Sequence, residues 1–543
     1  MQDWRGARVS ALFGGLLWLA VPGGAVAEAT NPAPLGDQAP AAAAQTLAPI
    51  AGAPRAPAPP IQPTPPLAPV APASPAEGAP STEPPPPPVP VEQQALNPLD
   101  LFSTGRETGL GVDFWSGSSA ELARAIIPRL VDHPLSPAAA ALARRVLATA
   151  SAAPASAGSD VDLAAARAQA LLALGDAQTA EVILDHTPGL SNSAALSRTA
   201  AEAALIDDRD DKACAIESTL AVSRDTAFWL RLRSYCEARA GRPSAQLTAT
   251  LAEQADRDPA FARMMAVILV GGGDPGPPSL RDSIDYAMSR QLKLDLTPAL
   301  ADAPPSIAAH VAAVDDLSAP PPATAPTEAA ISAALRAAKT IQAYDTAARL
   351  ALPGIVQLVQ AKAPLANPLQ LAAASLAAGD RATAHEIRLA LADTPAANSD
   401  PADLAIIDAA LAVAFGRTDE AALDRLTERG ARNDPAAARA EAAAAVVYAL
   451  GSPADGQARV ELAGFNLGRS RASPALTLVL DDEADKRVRG DVALLSLSLA
   501  LESGAAGPGP ADRAAIVRAL DRAGLASDAR AFALEGLIAL EAR

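Results

Sequence analysis

The chain is predicted to be all-α, an α-solenoid of stacked helical hairpins preceded by a disordered proline-rich segment. Three observations carry that prediction. Half of the 543 residues are apolar, yet aromatics make up only 3%. Alanine supplies most of the apolar count, and alanine favours close-packed helices over a sheet rich in Val, Ile and Tyr. Last, a glycine followed by alanine in Gly-x4-Ala spacing recurs, at Gly175 and Ala180, Gly379 and Ala384, Gly416 and Ala421, and Gly524 and Ala529. The steps from Gly175 to Asp208 and from Asp208 to Gly241 are both 33 residues, and Gly416 to Gly451 is 35. Helix-turn-helix repeats about two helices long have periods in this range.

At the start of the chain, Arg5 and Arg8 precede an apolar run from Val9 to Val21, which Pro22-Gly23-Gly24 ends and Ala25-Val26-Ala27 follows. A charged start, a short apolar core and an A-x-A end make residues 1–27 a secretory signal, too short to span a bilayer comfortably. The protein is therefore expected to be exported, most simply to the periplasm, with no stable membrane span after cleavage. Residues 28–97 are Pro, Ala, Gln, Thr and Ser, ending in Pro84 to Pro88 and Val89-Pro90. Proline removes backbone donors and fixes φ, so this segment is expected to be a disordered, partly polyproline tether reaching on the order of 200 Å when extended.

Order is expected from about residue 98. Ser118-Ser119-Ala120-Glu121 has the S-x-x-E form of a capping box and opens the helix ELARAIIPRL, whose first turn Trp115 is placed to staple. A second helix is expected from Ala138 to Thr149. The hairpins follow. At each turn the glycine takes the left-handed geometry that ends one helix, and the alanine lets the next helix approach closely. Asp208 and Ala213 form a degenerate copy. The acidic run Asp207-Asp208-Arg209-Asp210-Asp211 lacks the Gly and terminal Glu of a calcium loop and reads as a cap for the next helix. Glycines 271–273 and the prolines after them interrupt the helices, a shorter helix is expected over 283–292, and Pro320-Pro321-Pro322 marks a break at 318–326. That break separates an N-terminal helical-repeat lobe at 98–317 from a C-terminal one at 327–543.

The only cysteines, Cys214 and Cys236, sit eleven residues on either side of Asp225, in a stretch that reads as two helices broken at Ser223-Arg224-Asp225-Thr226. An antiparallel hairpin folded there brings them level, so a disulfide is expected. It is expected to be structural, because a redox-active pair is more often C-x-x-C with a depressed pKa. Trp229 and Tyr235 on the second helix are expected to cover it.

The formal charge of −17, with 44 basic residues scattered among 61 acidic ones, argues against nucleic acid as a partner. His133, His186, His310 and His385 are far apart and lack a second ligand at metal spacing, and His385-Glu386 has no following His where a zincin needs one. No Lys-Ser or Lys-Thr follows the glycine run, and no G-x-S-x-G elbow occurs. Catalytic, cofactor-binding and metal-binding residues are accordingly expected to be none, and the chain is not read as an enzyme.

A helix ending before a glycine, followed by one carrying a small alanine, resembles tetratricopeptide repeats, although most of that family's aromatic positions are missing. Cys214, Trp229, Cys236, Asp258-Pro259-Ala260-Phe261 and the terminal GLASDARAFALEGLIA resemble uncharacterised alphaproteobacterial exported Ala/Pro-rich helical proteins. That group is sometimes labelled antifreeze glycopeptide polyprotein from composition, but the chain has no sustained Ala-Ala-Thr array. The architecture implies a non-catalytic scaffold that binds an envelope protein or peptide partner, without a cofactor. Two alternatives stand beside it: an accessory helical superhelix of a peptidoglycan-processing enzyme system, and a structural envelope spacer. Helical pattern up to Arg543 leaves little room for a separate catalytic domain. Oligomeric state stays open.

Overall fold

The computed structural model describes residues 100–131, 133–318, 326–393, 401–432, 434 and 437–542. The signal expected at 1–27, the tether at 28–97 and most of the break at 318–326 lie outside the described residues. The chain divides into two units, 1–91 and 92–543, and every described residue belongs to the second. Among the described residues the regular structure is helical, with one isolated bridge between Arg106 and Thr149.

The first ten α-helices are α1 (Ala120–Ile126), α2 (Pro137–Ala148), α3 (Val161–Ala173), α4 (Ala177–Asp185), α5 (Ala194–Ile206), α6 (Asp210–Thr219), α7 (Ala227–Arg239), α8 (Ala245–Ala255), α9 (Pro259–Val270) and α10 (Ser283–Gln291). Around the proline break come α11 (Pro305–Ser318), α12 (Glu328–Ala337), α13 (Ile341–Gln360), α14 (Pro368–Ala377) and α15 (Arg381–Asp393). The remainder are α16 (Pro401–Ala414), α17 (Glu420–Gly430), α18 (Ala437–Ala449), α19 (Gly456–Gly464), α20 (Pro474–Lys486), α21 (Arg489–Leu501), α22 (Pro510–Arg522) and α23 (Ala526–Glu541).

Short acceptors start many of these helices. Asp160, Asp176, Asp258, Asp282, Asp419 and Asp455 each take a first-turn N–H that has no intrahelical partner. Left-handed residues end them. Gly175, Gly379, Gly416 and Gly524 stand at φ of 81°, 86°, 75° and 82°, and Asp208 takes 60° at its place in the series. The same bond then closes each helix, from the following N–H back to a carbonyl five residues earlier. Asp176 to Leu171, Arg209 to Ala204, Arg242 to Glu237, Asp380 to Ser375, Arg417 to Ala412 and Leu525 to Leu520 all form it at 2.8–3.0 Å. This is the Schellman closure, and its reuse is what the glycine spacing reflects.

Ala180, Ala213, Ala384 and Ala529 are fully buried behind their turns. Ala421 is the exception: it is exposed, and Ala422 holds the buried place. The turn after Gly416 is longer, because the cap is Asp419 and not the next residue, so Ala421 is only the second residue of α17. Ala180 is the fourth of α4.

Sequence neighbours pack as pairs, among them α7 on α8, α14 on α15 and α22 on α23. Packing also reaches across the whole unit, with α1 against α21 and α2 against both α21 and α23. The largest core therefore joins Phe102, Trp115, Ile127 and Leu142 to Leu371, Ile406, Leu494 and Phe532. A second core, with Trp229, Tyr235, Phe261, Met264 and Ile284, lies among α3 to α10. The expected lobes need correction here: α1 and α2 share a core with helices beyond the break.

Specific polar contacts fasten that closure. Gly490 lets α21 come close, since a Cβ there would stand 2.5 Å from Trp115 Cε3. Asp491 accepts the Ser119 N–H at 2.9 Å. The expected capping box is altered as a result: Ser119 is the N-cap, its Oγ accepts from Leu122, and its own N–H is bound to α21 rather than to Glu121. On α23, Glu535 Oε2 accepts the Ala138 N–H at 2.7 Å, and its other oxygen pairs with Arg513 at 2.8 Å, with both side chains almost fully buried. Asp528 pairs with Arg145 of α2 at 2.6 Å.

Candidate functional site

On α6, Asp211, Cys214 and Glu217 follow one another at three-residue intervals; on α7, Arg233, Cys236 and Arg239 do the same. Three residues is nearly one helical turn, so each trio forms a stripe on one helix face. The hairpin places the two stripes against each other. Cys214 and Cys236 form a disulfide with Cα atoms 5.6 Å apart. On one side of it Arg233 Nε donates to Glu217 Oε1 at 2.7 Å, and on the other Arg239 Nη2 donates to Asp211 Oδ1 at 3.1 Å. The disulfide is thus bracketed by two ion pairs in one antiparallel register, with acid on the Cys214 side and base on the Cys236 side.

An open cavity of about 470 Å³ lies over this arrangement, lined by both cysteines and by Arg224, Arg233, Arg239 and Arg242. Arg224 makes a second bond to Glu217 Oε1 at 2.9 Å, so two guanidiniums share one carboxylate oxygen. Arg242 is exposed and makes no ion pair among the described residues. Both cysteines are half-buried. Trp229 and Tyr235, expected over the bridge, are 2% and 0% exposed in the second core, against which Cys236 also packs, and neither lines the cavity. Tyr235 donates to Asp210 at 3.2 Å, and burial, then the Asp210 carboxylate, pushes its phenol well above its ordinary range.

The acidic run before α6 does something other than capping. The N-cap is Arg209, with no side-chain cap bond. Asp208 instead accepts from Tyr286 at 2.9 Å and pairs with Arg290, and Asp210 pairs with Arg290 and Arg239. These carboxylates tie α6 to α7 and α10.

One further carboxylate group invites a metal reading: Asp258, Asp282 and Asp285 offer oxygens within 4.8 Å of one another. Caps and ion pairs engage most of their oxygens, leaving Asp285 Oδ1 buried without a hydrogen-bond partner. Asp258 and Asp282 cap α9 and α10, Arg281 bonds Asp258 at 2.6 Å and Asp285 at 3.0 Å, and Arg231 reaches Asp258 at 3.2 Å. Burial, then the Asp282 charge, raises the Asp285 carboxyl above its usual range. The histidines are dispersed: His186 bonds the Val182 carbonyl, His310 approaches Asp208 at 3.6 Å, and His385 stands edge-on to Phe415. After the α9 glycines, Arg263 donates to the Pro275 and Pro277 carbonyls, so that loop is held.

Of the residues singled out in the sequence, the structure joins the two cysteines and leaves the turn glycines spread along the fold. The bracketing charges were missed. The signal for them is D-x2-C-x2-E followed by R-x2-C-x2-R, legible once charges are counted three residues either side of each cysteine. No family model, curated protein or solved structure matches the chain.

Proposed function

We propose that this chain is an exported, non-catalytic helical-repeat scaffold, an α-solenoid of tetratricopeptide-like hairpins that binds a protein or peptide partner in the cell envelope. The observation that supports it is one turn used again and again, with a left-handed residue, the same closing bond and, at Ala180, Ala213, Ala384 and Ala529, a buried alanine behind it. A reused hairpin multiplies side-by-side helical surface, which suits docking better than it suits a single reaction centre. Contacts of α2 with α23 fasten the first described helices to the last, giving such a surface a stiff frame. Export is in keeping with the disulfide, which the cytosol would keep reduced.

The test is affinity capture of the intact exported chain from envelope extract without reductant, followed by rebinding of the purified partner. Saturable binding of one partner protein is the expected result. Recovery of nothing that rebinds in purified form would overturn the scaffold reading, and retention on isolated peptidoglycan in place of protein would move it to the accessory role.

A further inference from the structure

We propose that the Cys214–Cys236 disulfide is an exchange-competent and polarised redox site, attacked by an incoming thiolate at Cys214 with Cys236 as the leaving group. The inference goes beyond the scaffold reading and does not depend on it. Two observations carry it. Both cysteines line an open cavity, so a thiol can reach them without unfolding the chain. The charges around them are asymmetric: Arg233 and Arg239 flank Cys236 on its own helix, where the one carboxylate, Glu237, is engaged by Thr248 of α8, while Asp211 and Glu217 flank Cys214.

Thiol–disulfide exchange passes negative charge to the leaving sulfur, and the thiol of lower pKa leaves faster. Guanidiniums beside a cysteine stabilise its thiolate, and carboxylates disfavour it. Arg242 lines the same cavity and makes no ion pair among the described residues, which adds a further positive charge to this side of the bridge. The step balances without any other reagent. The incoming thiolate forms a bond to Cys214 Sγ, the Sγ–Sγ bond breaks, and Cys236 departs with the electron pair as a thiolate. Attack by a second thiolate on the mixed disulfide completes reduction of the bridge and yields the small disulfide. Return attack by Cys236 instead restores the starting state. Each gain in acidity at Cys236 speeds its departure and so raises the preference for attack at Cys214.

The experiment uses the full oxidised chain under native conditions. One arm receives 2-mercaptoethanol and the other a reduced protein dithiol of the kind that reduces disulfides generally. Each is quenched with N-ethylmaleimide and mapped by peptide mass spectrometry. The expected product carries the incoming thiol on Cys214 and maleimide on Cys236. Reaction in the first arm alone assigns small thiols as the source; reaction in the second assigns a protein thiol. Arg242→Gln is expected to reduce the Cys214 preference without a fold penalty, because it breaks no ion pair. Arg233→Gln with Arg239→Gln is expected to reduce the Cys214 preference further than Arg242→Gln does, while Glu217 keeps Arg224 and Asp210 keeps Arg290. Adducts that form only after urea unfolding, an adduct mainly on Cys236, or a ratio unmoved by both variants would each overturn the proposal.

Discussion

Replacing Gly536 with alanine puts the closure of the fold to a direct test. In the interior of α23 this change ordinarily stabilises by about 1 kcal/mol, because alanine is the better helix former. Here the added Cβ would stand 2.3 Å from Arg513 Cδ and 2.9 Å from its Nε. Arg513 cannot swing aside into water: its side chain is 4% exposed, and it donates to Phe532 O at 2.9 Å as well as to Glu535 at 2.8 Å. Disrupting a buried pair of this kind costs about 3–5 kcal/mol. The steric effect wins, and the net loss is expected to be about 2–4 kcal/mol after the propensity gain. Because Glu535 also holds the Ala138 N–H, the loss should reach α2, nearly four hundred residues away in sequence. Urea unfolding and hydrogen-exchange mass spectrometry on the full chain read both effects. Gly524→Ala is the control: nothing lies within 4 Å of its Cβ, and only its φ of +82° penalises the change, by about 1–2 kcal/mol confined to the turn. Unchanged or increased stability of Gly536→Ala, or lost protection in α23 with α2 unaffected, would refute the reasoning.

Three other outcomes follow from individual groups. Burial pushes the Glu541 carboxyl up to about 7 despite Arg439 at 2.8 Å, so the folded state holds that proton more tightly than the unfolded chain does. Stability should therefore fall as pH rises from about 4.5 through about 7, by on the order of 3 kcal/mol, and Glu541→Gln should flatten that slope in a pH series of denaturation curves. Arg167 is fully buried, its guanidinium lowered by burial to about 10, and it donates to Leu147 O at 2.7 Å and Thr149 O at 2.9 Å. Arg167→Met should cost on the order of 3 kcal/mol in denaturant melts, since each orphaned carbonyl costs about 1 kcal/mol or more. Removing the disulfide with Cys214→Ser and Cys236→Ser should cost about 3 kcal/mol by the same measurement, as the loop it closes spans 22 residues.

Local features of this fold were open to sequence reasoning because their causes are local. A left-handed residue ends a helix whatever it packs on, so Gly175, Gly379, Gly416 and Gly524 stood out as turns. Two cysteines equidistant from a helix break pointed to their pairing in the same way. The Ala421 register failed because spacing alone does not reveal two extra turn residues before Asp419. The polarity of the site was missed for a different reason. Asp211, Glu217, Arg233 and Arg239 look like ordinary solvated helix charges until the hairpin sets them opposite one another.

The closure of the unit was hidden more deeply, and its absence from the sequence pattern has a physical origin. Its contacts join residues hundreds of positions apart, and its polar members are isolated acidic side chains on apolar helices: Asp491 on the leucine-rich α21, and Asp528 and Glu535 on the alanine-rich α23. Burial raises the carboxyls of Asp491 and Asp528 above their usual range, so each costs stability unless its partner is in place. Their partners are the Ser119 N–H and Arg145, which belong to the opposite end of the described chain. Docking that satisfies buried charge at both ends is worth little until both ends are folded, so it couples them. In an open stack each hairpin answers only to its neighbours. Here α1 and α2 complete the core of α21 to α23, and damage to Gly536, Asp491 or Asp528 should be felt in helices that precede them by most of the unit.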